Sequence, residues 1–369
     1  MCKMSKKCLI YNFAPHYRTN IFSLLDKNLD LDFYFGDDMG DVKKMDYSLL
    51  NQPVHEVHNS KIGPFEWQSG VIKLAFKPYQ KYIILAGPLV LSTWLFTLFA
   101  RLQGKKVYFW SHGWYGKESR IQRLLKLIFF RLPTKTFLYG NYARNLMIKA
   151  GFRDKSLVTI HNSLMYDKQL AIRKSLHVTT VYSEHFKNDL PTVIFVGRLT
   201  PVKQLHLLLE SLAINLNRNV HYNVTFIGNG SEKQSLENLS EKLHLSDHVW
   251  FYGPTYDEQE LSNLIYNADL CVAPGNIGLT AMHAMVYGCP CLSHNDFKWQ
   301  MPEFEAIVDG VTGTFYKKNS VDSLADSIST WLKNKSCKRA QVRDSCFSEI
   351  DNNWNPHKQL DIIVKNLNE

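Results

Sequence analysis

The sequence predicts an α/β protein of two doubly wound, Rossmann-like domains facing across a cleft. Three observations predict it. Short, continuous apolar runs alternate with longer stretches of helical spacing, and strands apolar on both faces belong to parallel sheets covered by helices. The alternation comes in two series, parted by a polar stretch from Asp167 to Leu190 that ends at Pro191. The 369 residues suit two domains, and at 45% hydrophobic and 21% charged the chain has material for two cores. Collagen-like, coiled-coil and disordered chains have other compositions.

Taken in order, the first series has strands at Lys7–Tyr11, Leu31–Phe35, Tyr82–Leu85, Val107–Trp110, Thr136–Tyr139 and Leu157–Ile160. Helical spacing fills Ile21–Leu25, Ile121–Phe130 and Tyr142–Ala150. The second series has strands at Thr192–Val196, Asn223–Ile227, Val249–Tyr252, Leu270–Ala273 and Cys291–Ser293. Helices fit between them at Lys203–Leu216, Ser231–Leu243, Glu258–Ala268 and Leu279–Tyr287. The boundaries expected are a first domain over 1–170, a linker over 171–190, a second domain over 191–345, and a helical segment over 346–369 crossing back to the first domain. The longest apolar stretch, Ile83–Ala100, reaches the length of a membrane span. Gly87-Pro88 interrupts it, so it reads as a buried strand, a turn, and a core helix over Leu89–Leu102. The apolar run after the lysine-bearing N-terminus breaks at Asn12, too soon for a signal peptide.

Seven cysteines without regular spacing do not form a disulfide framework, and Cys289-Pro290-Cys291 is not the C-x-x-C of a zinc or redox site. Reduced, buried thiols point to the cytoplasm. Residues 1–185 carry 27 Lys+Arg against 13 Asp+Glu, whereas 186–369 carry 16 against 21. A basic half implies an anionic partner: a membrane surface, nucleic acid or a phosphorylated substrate. Nucleic acid is disfavoured because no aromatic-basic recognition motif accompanies the charge. Lys117, Arg120, Arg123 and Lys126 recur every third residue beside Ile121, Leu124, Leu125, Ile128 and Phe129, a basic stripe against a broad apolar face that suits an anionic membrane surface.

In open parallel sheets ligands bind beyond the carboxyl ends of strands, so the loops there carry the chemistry. In Val196-Gly197-Arg198-Leu199-Thr200-Pro201-Val202-Lys203, a strand ends at glycine, Thr200 is placed to cap a helix and Pro201 suits its first position. Arg198 and Lys203 then stand beside a helix N-terminus as a clamp for a diphosphate. A second loop runs from Ala273 through Gly275, Asn276, Ile277, Gly278, Leu279 and Thr280 to His283. Its glycines allow close backbone approach, its amides from Ile277 to Thr280 could face phosphate or sugar oxygens, and His283 falls one turn into the following helix. Gly228-Asn229-Gly230-Ser231 is explained equally by a tight turn with Ser231 as cap. In the first half, His112 follows a strand beside Gly113 and Arg18 follows the first strand, both on the acceptor side. Asp30-Leu31-Asp32 leads into a strand rather than ending one, and no metal site is expected.

These residues together resemble glycosyltransferase family 4, whose members have the GT-B fold. The resemblance rests on G-R-L-x-x-x-K at Gly197 to Lys203, on Thr225-Phe226-Ile227-Gly228-Asn229-Gly230, and on the donor loop from Gly275 to Pro290. Asp309-Gly310-x-Thr312-Gly313, Ser111-His112-Gly113 and Ile160-His161-Asn162 match as well. It implies a retaining glycosyltransferase that moves a sugar from a UDP- or GDP-linked donor to a saccharide acceptor carried on a polyprenyl diphosphate. The setting implied is surface polysaccharide synthesis at the inner face of the cytoplasmic membrane. The first domain would take the acceptor and the second the nucleotide sugar, with no metal or other cofactor. Arg198, Lys203 and His112 would be catalytic. Gly197, Arg198, Lys203, Gly275, Asn276, Ile277, Gly278, Leu279, Thr280 and His283 would bind the donor, and Arg18 and His112 the acceptor. The family pattern has two glutamates where this sequence has Gly275 and His283, the first for the donor sugar and the second for the ribose. Two alternatives therefore accompany the reading: a GT-B protein that binds the donor without transferring it, and a sugar-nucleotide epimerase.

Overall fold

The structure, a computed structural model, describes residues 6–40, 42–335 and 338–369. Two compact units emerge, one formed by residues up to Met165 together with Asn355–Glu369, the other by Tyr166–Trp354.

The first unit is built on a seven-stranded parallel sheet. Its strands are β1 (Lys7–Tyr11), β2 (Leu31–Gly36), β3 (Val54–Val57), β6 (Lys81–Leu85), β7 (Lys106–Ser111), β8 (Lys135–Leu138) and β9 (Leu157–Thr159), in the order β3-β2-β1-β6-β7-β8-β9. A hairpin of β4 (Asn59–Ile62) and β5 (Phe65–Gln68) stands apart from it. The sequence did not point to β3, β4 or β5. They are short and largely solvated, so no apolar run marks them. The helices are α1 (Thr19–Asn28), α2 (Val71–Leu74), α3 (Leu91–Leu102), α4 (Arg120–Phe129) and α5 (Asn141–Lys149). The long apolar stretch is indeed split into β6 and α3, and no described helix is long and apolar enough to cross a membrane.

The second unit begins with α6 (Tyr166–Arg173), which starts inside the stretch expected to end the first domain, and α7 (Val181–Phe186), inside the stretch expected to be a linker. These helices were hidden by their polarity; what holds them is packing on the unit's own helices, not an apolar face of their own. The unit's sheet is six parallel strands: β10 (Thr192–Val196), β11 (Asn223–Ile227), β12 (Val249–Gly253), β13 (Leu270–Ala273), β14 (Cys291–His294) and β15 (Gly313–Tyr316), ordered β12-β11-β10-β13-β14-β15. Around it lie α8 (His206–Asn217), α9 (Lys233–Lys242), α10 (Glu258–Asn267), α11 (Thr280–Val286), α12 (Val321–Lys335) and α13 (Arg339–Asn353). β10, β11, β13 and β14 are buried throughout, as strands covered on both faces must be.

The chain then rejoins the first unit. Helix α14 (Pro356–Asn368) starts with the Asn355 side chain accepting from the Lys358 amide and with proline at its first position. It packs on α1, placing Leu360, Ile363 and Leu367 in one core with Ile21, Phe22 and Leu25. The opposite face of the sheet holds a second core, in which Phe96, Phe129 and Met147 are fully buried. The described cysteines, Cys8, Cys271, Cys289, Cys291 and Cys346, are buried free thiols.

Candidate active site

The order β12-β11-β10-β13 reverses direction between β10 and β13, the kind of switch point beyond whose strand ends open parallel sheets bind ligands. Both loops singled out in the sequence of this unit leave from there. Their geometry differs from expectation in one respect. Thr200 caps no long helix. Pro201–Lys203 form a single 3-10 turn, Gln204 takes a left-handed conformation (φ 51°), and α8 starts only at His206. Lys203 therefore closes a short turn rather than opening a long helix.

That turn seats Lys203 against the donor loop. Its Nζ donates to the carbonyl oxygen of Asn276 at 2.7 Å and to its Oδ1 at 2.9 Å. Burial pushes the Lys203 ammonium down to about 8; the buried Glu303 opposes this, and the Arg198 guanidinium adds to it. Arg198 is exposed and makes no hydrogen bond or ion pair among the described residues. Glu303 had no motif to mark it in the sequence.

The donor loop is fixed along its backbone. Tyr316 donates to the Pro274 carbonyl (2.7 Å), and the Gly275 amide donates to the Lys203 carbonyl (2.8 Å). Ser293 Oγ donates to the carbonyls of Ala273 (2.8 Å) and Gly275 (3.0 Å). Gln300 accepts from the Ile277 amide at 3.0 Å. The Ile277 amide, expected to face a ligand, is thus satisfied inside the protein. A Cβ at 275 would run into the Val202 carbonyl and the Lys203 backbone, so this position has no room for a side chain. Gly278 (φ 53°) sits where only the backbone conformation demands glycine. Leu279 precedes α11, and the Thr280 hydroxyl donates to the Val196 carbonyl at 2.9 Å, tying the loop to the end of β10.

The Gly228–Gly230 turn serves loop packing. A Cβ on Gly228 would meet the Gly197 carbonyl and one on Gly230 the Leu199 carbonyl, while the Leu199 amide donates to Asn229 (2.9 Å). Ser231 does not cap α9, which starts at Lys233. Sequence spacing alone did not separate a cap from a close approach.

His283 lies on α11 with its Nε2 2.9 Å from Glu258 Oε1, on α10. The same oxygen accepts from Tyr287 (2.6 Å) and from Gln169 of α6 (3.1 Å). Burial works against the Glu258 charge, but these donors and the imidazole hold its carboxyl down to about 2. No local pattern marks this pairing, because 25 residues separate the partners.

The first unit has its own cluster at strand ends. Arg18 closes the turn before α1 and is buried (6% exposed). It donates to the Tyr139 hydroxyl at 2.9 Å and lies over the rings of Tyr11, Trp110 and Tyr139. The Tyr11 and Tyr139 hydroxyls are 3.0 Å apart. His112, just past β7, packs on Tyr139 at 4.7 Å between centroids. Burial lowers the His112 imidazole to about 4, with Arg18 and Lys126 adding to the effect. Arg18 and His112, both expected on the acceptor side because each follows a strand, thus meet on one tyrosine. Among the described residues the Trp110 indole N–H and His112 Nδ1 are buried without a hydrogen-bond partner. Asp32 is engaged by Lys6 and Tyr79.

The basic stripe is narrower than its spacing suggested. A capping box of Ser119 and Gln122 opens α4. Ile121, Leu124, Leu125 and Ile128 are exposed and Phe129 is buried. Lys126 turns back, donating to the Gly113 carbonyl (2.9 Å) and pairing with Glu118 (2.7 Å). Next to α4, with Trp94 on Phe129 at 4.9 Å, α3 exposes Leu91, Leu95, Leu98 and Leu102.

Comparison with known proteins agrees with this architecture. Residues 181–345 match the family model described as glycosyl transferases group 1. An exopolysaccharide phosphotransferase of Streptomyces coelicolor is 25% identical over 182 residues, 48% of this chain and 18% of that protein. N-acetyl-alpha-D-glucosaminyl L-malate synthase of Bacillus anthracis is 22% identical over 240 residues, 58% of this chain and 61% of that one. The chain thus spans less than two thirds of the length of either curated relative. Among solved structures, Anabaena HepE in complex with UDP superposes with a TM-score of 0.74 at 15% identity, covering 98% of this chain and 99% of that one. The lipopolysaccharide outer core galactosyltransferase WaaB, in its apo form, gives 0.71 at 15% identity over 98% and 99%. These likenesses give the fold, the GT-B pairing of two Rossmann-like domains.

Proposed function

Residues 181–345 carry a group 1 glycosyltransferase domain, and we propose that the chain moves a sugar from a UDP- or GDP-linked donor to a lipid-carried saccharide, with retention at the anomeric carbon. The observation that carries this is the Lys203 ammonium held on Asn276 of the donor loop, beside Arg198, where the loops from β10 and β13 meet. As the bond from the sugar's anomeric carbon to the diphosphate breaks, negative charge gathers on the leaving oxygens. Arg198 and Lys203 neutralise it, and Lys203, already held on Asn276, does so without reorganisation. The rigid loop backbone means that little order has to be imposed when the donor binds.

The acceptor belongs to the first unit. A saccharide offers hydroxyls for the buried Trp110 N–H and His112 Nδ1, and aromatic faces suit the apolar faces of sugar rings. The exposed leucines of α3 and α4, flanked by Arg120 and Arg123, fit the surface of an anionic membrane, where a lipid-carried acceptor would reside. On this reading the protein works at the cytoplasmic face of that membrane, in surface polysaccharide synthesis.

One observation favours a second reading, donor binding without transfer: position 275 has no space for a sugar-binding carboxylate. Nucleotide release across a panel of UDP- and GDP-sugars, with and without a lipid-linked saccharide, separates the two. Transfer is expected from at least one donor, with an unchanged anomeric configuration by NMR. Binding without release from any donor establishes the second reading instead.

A further inference from the structure

Position 283 carries an imidazole, and the structure shows what stands behind it. Three donors from two elements converge on one oxygen of Glu258: His283 Nε2 from α11, the Tyr287 hydroxyl from α11's end, and Gln169 Nε2 from α6. An oxygen that accepts three hydrogen bonds is that of an ionised carboxylate. His283 Nε2 therefore carries a hydrogen, directed at Glu258. In the neutral ring the other nitrogen, Nδ1, is then an acceptor.

We propose that Glu258 is a positioning residue that fixes the His283 tautomer, so that Nδ1 accepts a hydrogen bond from a ribose hydroxyl of the nucleotide. The proposal rests on the donor-site reading above. Its chemistry selects the hydroxyl over the phosphates: a lone pair meets an O–H favourably and a phosphate oxygen unfavourably. It also explains how a carboxylate can serve the donor from α10. The pair presents the same acceptor character to the ligand as a glutamate on α11 would, relayed through the ring. The low carboxyl of Glu258 agrees with an anion held by its donors. Tyr287 and Gln169 leave the carboxylate no freedom to turn away, and both are almost fully buried.

The test is a cycle between protein and ligand. Dissociation constants are measured by calorimetry for wild type, Glu258→Ala and Glu258→Gln. The probes are UDP and GDP, followed by the 2′-deoxy and 3′-deoxy forms of whichever binds. For the intact nucleotide, Glu258→Ala is expected to weaken binding about tenfold, the scale of one hydrogen bond. Against the deoxy form that lacks the contacted hydroxyl it should change nothing beyond about twofold. Glu258→Gln keeps an oxygen for Nε2–H and should recover most of the loss. A purely structural Glu258 would weaken all ligands alike, and that result, or no weakening of any, overturns the proposal. If wild type binds neither UDP nor GDP, the donor reading itself fails and the proposal falls with it.

Discussion

At the residue scale, the two cations of the clamp differ in how they are held. Arg198 is exposed and unused by the protein, so Arg198→Ala should leave thermal stability unchanged while weakening nucleoside diphosphate binding about ten- to a hundredfold by calorimetry. Lys203 is half-buried, and its ammonium is held down to about 8. A bound diphosphate raises that value, so the complex retains a proton that the free protein loses. Affinity is therefore full below about 8 and falls as pH rises through it. Calorimetry at about pH 7 and about pH 9.5 should show the loss in wild type and none in Lys203→Ala. His112, lowered to about 4, works as a neutral ring across the physiological range. His112→Ala should spare nucleotide affinity and slow transfer at least about tenfold in a coupled release assay. All three residues were legible in the sequence because each follows a strand. Glu258, Glu303, Ser293 and Gln300 were not, because their partners are distant in sequence and no local pattern marks a residue that serves another loop.

At the scale of elements, α4 shows how a periodic pattern overstates a surface. Its spacing put four cations on one stripe, but Lys117 precedes the helix and lies over the Tyr115 ring, and Lys126 is bound to Glu118 and Gly113, leaving Arg120 and Arg123 with the apolar residues around them. Each cation near an anionic bilayer contributes about 1 kcal/mol. Full burial of each of Ile121, Leu124, Leu125 and Ile128 would contribute about 1.5–3 kcal/mol. The apolar part is the larger, so salt should release the protein from anionic vesicles only partly. Leu124→Ser with Leu125→Ser should release it more fully than Arg120→Glu with Arg123→Glu. Co-sedimentation measures both, and a greater effect of the charge reversal would contradict this ranking. Nucleotide binding should survive in each variant. The donor loop teaches a related lesson: Gly275 is required by the backbone of the 3-10 turn at Pro201–Lys203, an element the sequence had merged into α8.

At the scale of the whole molecule, the C-terminal helix completes a unit that the chain left at Met165. Ile363 and Leu367 are fully buried in the first unit's core, and Gln359 donates to the His161 carbonyl at 2.7 Å and pairs with Ser163 at 2.8 Å. Ile363→Ala and Leu367→Ala should each cost about 2–5 kcal/mol. With two units, the loss should appear as an earlier melting step rather than a uniform shift, and nucleotide binding by the second unit should persist. Calorimetric scanning with and without UDP checks both. An unaltered melting profile would mean that α14 contributes little to that core.

The sequence by itself determined the two series of parallel strands and the loops at their carboxyl ends, because continuous apolar runs and Gly, Pro and Thr punctuation are local signals. It marked Arg198, Lys203, His112 and Arg18 for the same reason. The tertiary structure decided the rest. Only the order of strands makes β10 and β13 neighbours, which brings their loops together and puts Lys203 on Asn276. Only packing turns the polar segment after Met165 into helices that bring Gln169 to Glu258. Those pairings depend on which elements lie side by side, and adjacency across tens of residues is set by the burial of whole faces rather than by anything a short window of sequence contains.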